Sequence, residues 1–320
     1  MKHLNFLSCP ECNNNFKKIS KNKIQCKSCL RYFDIKDDIP ILLPDNLEDF
    51  KIMEAAYHDL EAHHYSEINM TGSYHVNYYI DDYLKIINAL KKNSILLEVG
   101  GGDGNDSNLI KNSEITIIQS DISIEMVKLA KKSNNHKDKI YVVSDAEKIP
   151  CNENTLDAIL IVATLHHLPS PLNFFKEAYR VLKPGGILIV GFEPNSWPYF
   201  SFYPLIRFIK KIFSTDSFLK SKNSGVSIGD SETEGFSYSD LIFFLEKSNL
   251  QLESIKRIWF LLGFFHTILS IINSKLPKNK TLKIPIIIQK ILIFIDRLFL
   301  LIPILNNLCW HWTLVVKKKS

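Results

Sequence analysis

An apolar run, Ile95-Leu96-Leu97, passes through Glu98-Val99 into Gly100-Gly101-Gly102-Asp103-Gly104, and no other stretch constrains the fold of this 320-residue chain as strongly. A buried strand that ends in closely spaced glycines makes a tight turn, and the missing Cβ atoms let backbone approach a ligand before the next helix begins. Two phosphate-binding readings of such a turn fail. A P-loop needs Gly-Lys-Ser/Thr where the chain has Gly104-Asn105-Asp106, and the dinucleotide pattern G-x-G-x-x-G needs glycine where Asn105 stands. The acidic groups Glu98, Asp103 and Asp106 serve a diphosphate poorly and suit a cationic cofactor better.

A second strand, Ile115 to Gln119, leads to Ser120-Asp121 and puts a carboxylate where a βαβ unit meets a ribose diol. Lys139 to Ser144 and Leu156 to Ala163 read as the third and fourth strands. They end at Asp145-Ala146 and at Thr164-Leu165-His166-His167, so four strands deliver polar groups to one sheet edge. Helix capping is the plain alternative for Asp121 and Asp145, since acids at strand ends often cap.

Together with Asp121-Ile122-Ser123, Ser144-Asp145-Ala146, Leu156-Asp157-Ala158-Ile159 and Glu177-Ala178-Tyr179-Arg180-Val181-Leu182-Lys183-Pro184-Gly185-Gly186, the glycine turn resembles the class I S-adenosylmethionine-dependent methyltransferases over residues 93–195. The resemblance is greatest to the branch that includes the quinone-biosynthesis methyltransferases. It implies an α/β fold, a Rossmann-like sheet with helices on both faces, and methyl transfer from S-adenosylmethionine to an O, N or C nucleophile. It also implies roles. Gly100, Gly102 and Gly104 would lie against the methionine part of the cofactor, with Glu98 counted in the same binding set. Asp121 would bind the ribose hydroxyls, Ile122 would pack on the adenine, Asp145 would accept from the adenine amino group and Ala146 would contribute backbone. His166 and His167 stand where a base for a phenolic or enolic acceptor would be needed, capping or packing being the alternative.

Cys9-Pro10-Glu11-Cys12 and Cys26-Lys27-Ser28-Cys29 form two C-x-x-C knuckles thirteen residues apart, the spacing of a tetrahedral zinc site. Redox pairs or disulfides are the alternatives, and no secretory signal precedes these cysteines. The segment resembles the zinc ribbons fused to several methyltransferases, including some that modify ribosomal RNA guanine. Four thiolates leave no open position, so the expected zinc is structural, and it would stabilise a module too small for a large core. Cys151 and Cys309 are left as free thiols, which argues for a reducing compartment.

The net charge of +5 is unevenly spread. Residues 200–320 hold 17 Lys/Arg against 8 Asp/Glu, while residues 1–199 hold 22 against 26. The basic part is also apolar, most of all from Ile284 to Leu305. That run carries Lys290, Asp296 and Arg297 in its middle, and charges there cost about 2.5–3.5 kcal/mol each at a bilayer centre, so a spanning helix is not expected. Lys283, Lys290 and Arg297, joined by Gln289 and Asp296, fall on one helical face with isoleucine and leucine elsewhere. Such a helix either lies in a membrane interface or packs its apolar side on protein.

Glycine- and serine-rich residues 221–237 read as a mobile connection. A helix from Tyr238 to Ser248 and a strand from Leu250 to Ile258 follow, and Trp310 to Lys317 forms the last strand. The expected organisation is a zinc ribbon (1–46), a helical lid (47–92), the methyltransferase core (93–258), an apolar basic helical insertion (259–308) and a final core strand with a basic tail (309–320). Lid candidates include His58, His63, His64, Tyr65, Tyr74, His75, Tyr78 and Tyr79, and no zinc motif is read in His63-His64 with His75. The expected acceptor is a small molecule or a lipid-linked one, with the protein cytoplasmic or peripheral on the inner face of a membrane. RNA methylation with the ribbon as reader, and a non-catalytic zinc-ribbon scaffold, are the alternatives.

Overall fold

The computed structural model describes residues 5–62, 74–201, 235–273, 276, 282–303 and 305–319. Its centre is a stack of parallel strands: β5 (Ile95–Val99), β6 (Thr116–Asp121), β7 (Lys139–Ser144), β8 (Leu156–Val162) and β9 (Leu182–Pro194). Each contains an apolar stretch, as suits a strand covered on both faces, and all five residues of β5 are buried. β10 (Leu250–Ile258) and β11 (His311–Lys318) close one side, with β11 antiparallel to both β9 and β10.

The opposite side holds a difference from the modular reading of the N-terminus. Four strands, β1 (Phe16–Ser20), β2 (Lys23–Cys26), β3 (Tyr32–Lys36) and β4 (Ile39–Leu42), continue the same sheet. Ile41 and Leu42 of β4 pair in parallel with Val143 and Ser144 of β7. The full order is β1-β2-β3-β4-β7-β6-β5-β8-β9-β11-β10, eleven strands in all. Leu7, Phe16, Ile24, Phe33 and Leu42 are buried in the same apolar cluster as Leu97, Ile118, Ile159 and Leu188. The N-terminal strands therefore draw stability from the main core.

Helices cover the sheet where the sequence supplies an apolar stripe and a start signal. Helix α1 (Asp49–Glu61) precedes α2 (Tyr74–Asn88), and the short α3 (Asn105–Asn108) follows the glycine turn. Helix α4 (Ile124–Lys132) begins at Ser123, whose hydroxyl accepts from Met126 N. In α5 (Pro171–Val181), Pro171 opens the first turn and Phe174, Phe175, Ala178 and Val181 form the buried stripe. After α6 (Ser196–Ser201), a capping box at Ser237 and Asp240 starts α7 (Tyr238–Lys247). Residues 221–234 of the expected mobile connection lie outside the described residues, as do His63, His64 and Tyr65 of the lid.

Helices α8 (Leu261–Asn273) and α9 (Ile286–Phe299) lie between β10 and β11 in the chain. The polar stripe of α9 does not face outward as a unit. Gln289 and Asp296 are buried together with Leu292 and Ile293. Asp296 accepts from the backbone N–H groups of Phe260, Leu261 and Leu262, capping α8 from a neighbouring helix. Arg297 stacks over the Tyr78 ring at 5.0 Å. The isoleucine side faces out instead, with Ile287 71% and Phe294 62% exposed, so it does not pack on the rest of the described chain. The start of α8 carries unsatisfied N–H groups, and supplying their acceptor turns Asp296 inward. Among the described residues no helix is long and apolar enough to cross a membrane.

Candidate functional site

The carboxyl ends of β5 to β9 meet α1 around a cavity of about 510 Å³, a size suited to a nucleoside-type ligand. Gly100 and Gly102 have φ of +60° and +50°, and a Cβ on Gly100 would overlap the Thr164 side chain. Glycine is therefore required where the turn passes under the end of β8. Gly100, Gly101 and Gly102 line the cavity together with Asp121, Ile122, Asp145 and Ala146.

Asp121 is fixed by its own backbone surroundings. Its Oδ2 accepts from Gly102 N and its Oδ1 from Ser123 N, each at 2.9 Å. Burial raises its pKa, against the pull of these hydrogen bonds and of His58. Asp145 accepts from Glu147 N and from the ammonium of Lys51 at 2.9 Å, and Lys51 also lies 3.1 Å from Glu147. Lys51, on the buried side of α1, had no signal in the sequence.

Two expected members of the cofactor set do not reach the cavity. Glu98 is buried behind the glycine turn, where it accepts from Ser107 N and from Ser107 Oγ, holding α3 to β5. Burial outweighs the nearby Lys139 and raises the Glu98 pKa to about 7. Gly104, at φ +79°, opens α3 and backs onto Gln119 and Lys139. Both residues build the turn, and neither lines the cavity wall.

His166 and His167 follow β8 in a 3-10 turn, with ring centroids 4.2 Å apart. Glu193, fully buried near the end of β9, positions this turn. Its Oε1 accepts from Thr164 N and Leu165 N, and its Oε2 from His166 N and from His166 Nδ1 at 2.9 Å. An acidic residue at the end of the fifth apolar strand was the available signal. His167 instead meets α1, with its Nδ1 3.1 Å from Glu54 Oε2. On the same helix, burial opposes a charge on His58, but hydrogen bonds to Glu54 and Glu61 outweigh it and raise the pKa to about 10. The side chains of Tyr74 and His75 lie outside the described residues, and Tyr79, on α2, is buried in the core.

Away from the cavity, Cys9, Cys12, Cys26 and Cys29 converge, with all four sulfurs within 4.8 Å of one another and no disulfide between them. The residue after each knuckle, Asn13 (φ 55°) and Leu30 (φ 60°), turns left-handed, which folds the two knuckles alike. Cys151 and Cys309 are free and buried, and burial pushes both thiols up to about 12.

Residues 97–190 match the family model described as a methyltransferase domain. The chain is 31% identical over 107 residues to a malonyl-[acyl-carrier protein] O-methyltransferase of Marinomonas sp. (strain MWYL1), covering 31% of this chain and 38% of that protein. It is 34% identical over 104 residues to a ubiquinone/menaquinone biosynthesis C-methyltransferase of Rickettsia prowazekii (strain Madrid E), covering 29% and 42%. The chain thus spans less than half the length of these two relatives. Among solved structures, a phosphoethanolamine N-methyltransferase 2 of Haemonchus contortus in complex with S-adenosyl-L-methionine shares the fold. Its TM-score is 0.52 at 15% identity, covering 88% of this chain and 62% of that one. Residues 97–190 are a methyltransferase domain, and the sheet built around them has the Rossmann-like arrangement of the class I methyltransferases.

Proposed function

We propose that the chain is an S-adenosylmethionine-dependent methyltransferase whose acceptor is apolar or lipid-linked. The observation that carries the reading is the cavity itself, whose wall joins Gly100–Gly102, Asp121, Ile122, Asp145 and Ala146 at the carboxyl edge of the parallel strands. Ligands of open α/β sheets bind at that edge. When bound, the cofactor supplies an electrophilic methyl group on a sulfonium.

The chain's own residues then have separate tasks. Asp121 keeps acceptor capacity for a ribose diol beyond its two backbone partners. Ile122 offers apolar surface to a base, and Asp145 with Ala146 faces its edge, sharing the carboxylate with Lys51. His166 takes the proton that the acceptor loses as the new bond to carbon forms, and Glu193 stabilises the resulting imidazolium. The walls position donor and acceptor and exclude water.

The four cysteines fit a structural Zn²⁺. The Cys9–Cys29 and Cys12–Cys26 sulfur separations are 3.7 and 3.4 Å, against about 3.8 Å for thiolates at 2.3 Å from a tetrahedral ion. The exposed apolar side of α9, with exposed Lys283 and Lys290 nearby, supports contact with an anionic lipid surface, where a lipid-linked acceptor would reside. One relative is named for an acyl-carrier substrate and the other for ubiquinone/menaquinone biosynthesis, which agrees with such an acceptor. Neither the RNA reading nor the scaffold reading is favoured by a feature of the described residues.

The test is transfer of labelled methyl from S-adenosylmethionine into a fractionated lysate. Label in the lipid extract is expected. Label confined to RNA would replace the acceptor class, and label in no fraction would remove the enzymatic reading.

A further inference from the structure

Glu54 and His58 stand one helical turn apart on α1 and project from the same face. His167 reaches them from the turn after β8. Glu54 Oε2 lies 3.1 Å from His167 Nδ1 and 3.5 Å from His58 Nε2, and the three ligand atoms all fall within 4.8 Å of one another. Ligands about 2.0–2.1 Å from a tetrahedral ion are about 3.3 Å apart, so these two separations bracket the value a shared metal would impose. We propose that Glu54, His58 and His167 form a binding site for a first-row divalent metal ion of the Zn²⁺, Fe²⁺ or Co²⁺ type, separate from the four cysteines.

The surroundings supply what such a site needs beyond its ligands. Glu61 Oε2 lies 3.0 Å from His58 Nδ1, so an outer carboxylate holds the ring with Nε2 turned toward Glu54. Carboxylate–histidine pairing of this kind fixes the tautomer and raises the basicity of a ligating imidazole. Glu54 is buried, and Glu61 and Asp121 stand in the same cavity wall, so the group calls for a counter-cation. Two imidazoles and one carboxylate select a borderline transition metal over Ca²⁺ or Mg²⁺, which take oxygen donors.

All three ligands line the cavity, which distinguishes this site from a closed structural one. A metal held by three protein ligands keeps coordination positions for a water or for an oxygen of the acceptor. Bound there, a hydroxyl or enol oxygen would lose its proton at lower pH and be held near the glycine turn. The inference stands on ligand geometry and does not depend on methyl transfer. Its rival is a cluster held by hydrogen bonds and a proton on His58, which the same distances also satisfy.

Full-length protein, isolated without chelator, is analysed for metal content and titrated with Co²⁺ in the visible range. The expected result is an equivalent of metal, already present or taken up, whose cobalt form shows ligand-field bands without thiolate-to-cobalt charge transfer. Glu54→Gln and His167→Gln should each weaken that equivalent at least tenfold, and Glu61→Gln about tenfold, with the cysteine-site signal unchanged. Wild type that takes up no thiolate-free equivalent overturns the proposal without recourse to any variant. Variants that melt like wild type and bind that equivalent equally well overturn it too.

Discussion

Oε2 of Glu193 lies 2.9 Å from Nδ1 of His166, and the same buried carboxylate accepts three backbone N–H groups from Thr164, Leu165 and His166. One side chain at the end of β9 thereby sets both the path of the turn after β8 and the orientation of its first imidazole. Glu193→Gln keeps the shape but removes the charge and aims a donor at other donors. Turnover should fall about a hundredfold or more, with S-adenosylmethionine affinity nearly unchanged. His166→Asn should fall by a similar amount, and the double variant should be no worse than the more affected single one, because the two residues act as a unit. Steady-state kinetics beside calorimetric cofactor binding checks this. Additive losses would mean that Glu193 does not act through His166.

Lys51 bridges Asp145 and Glu147 from the buried face of α1. Lys51→Met leaves two carboxylates in low dielectric without their cation, a change that costs about 3–5 kcal/mol. Asp145→Asn in the same background should recover part of that loss. Denaturant unfolding of these two variants, of Asp145→Asn alone and of wild type measures the coupling, and equal stability of all of them would show that α1 does not hold Lys51 there.

His311 sits half-buried in the cavity wall, 4.8 Å ring to ring from Trp259, and desolvation with the neighbouring His166 lowers its pKa from 6.5 to about 4. Between those two values the unfolded chain binds a proton that the folded chain refuses. Stability is therefore lost as pH falls from 6.5 toward 4, by about 1.4 kcal/mol per pH unit at most from this group. His311→Phe removes the proton site and should flatten the acid limb of the stability curve relative to wild type. A limb of unchanged slope would place the titration elsewhere.

Ile287 and Phe294 present the most exposed part of the apolar side of α9. Replacing both with Asp should abolish co-sedimentation with vesicles containing anionic lipid, while unfolding free energy changes by about 0.5 kcal/mol or less per site, as for other surface positions. Vesicle binding equal to wild type would remove the docking surface.

The parallel strands were legible because each contains a short apolar stretch. The sequence-derived bounds Lys139 to Ser144 and Leu250 to Ile258 coincide with β7 and β10. The cysteine cluster was legible from spacing alone, since two C-x-x-C knuckles constrain their own backbone. Pairing of β4 with β7 was not, because Ile39-Pro40-Ile41-Leu42 fits either a self-contained ribbon or a sheet edge. On α9 the helical period was read from the sequence, while the facing of its two sides was left open. Periodicity locates the apolar stripe, but only the third dimension places the α8 N-terminus against Asp296. A helical lid over this region, with His58 among its candidates, was expected from the sequence, but the parts played by Lys51 and Glu54 of α1 were hidden. Lys51, Glu54 and His58 are ordinary surface-type residues until α1 packs across the strand ends.

The most direct measurement is calorimetric titration of S-adenosylmethionine into wild type and Asp121→Ala. Micromolar binding by wild type, weakened at least tenfold in a variant that melts near wild type, is the expected result, since a charged hydrogen bond is worth about 1.5–3 kcal/mol. No heat with wild type, or equal affinity in the two proteins, would contradict the assignment of the cavity to this cofactor.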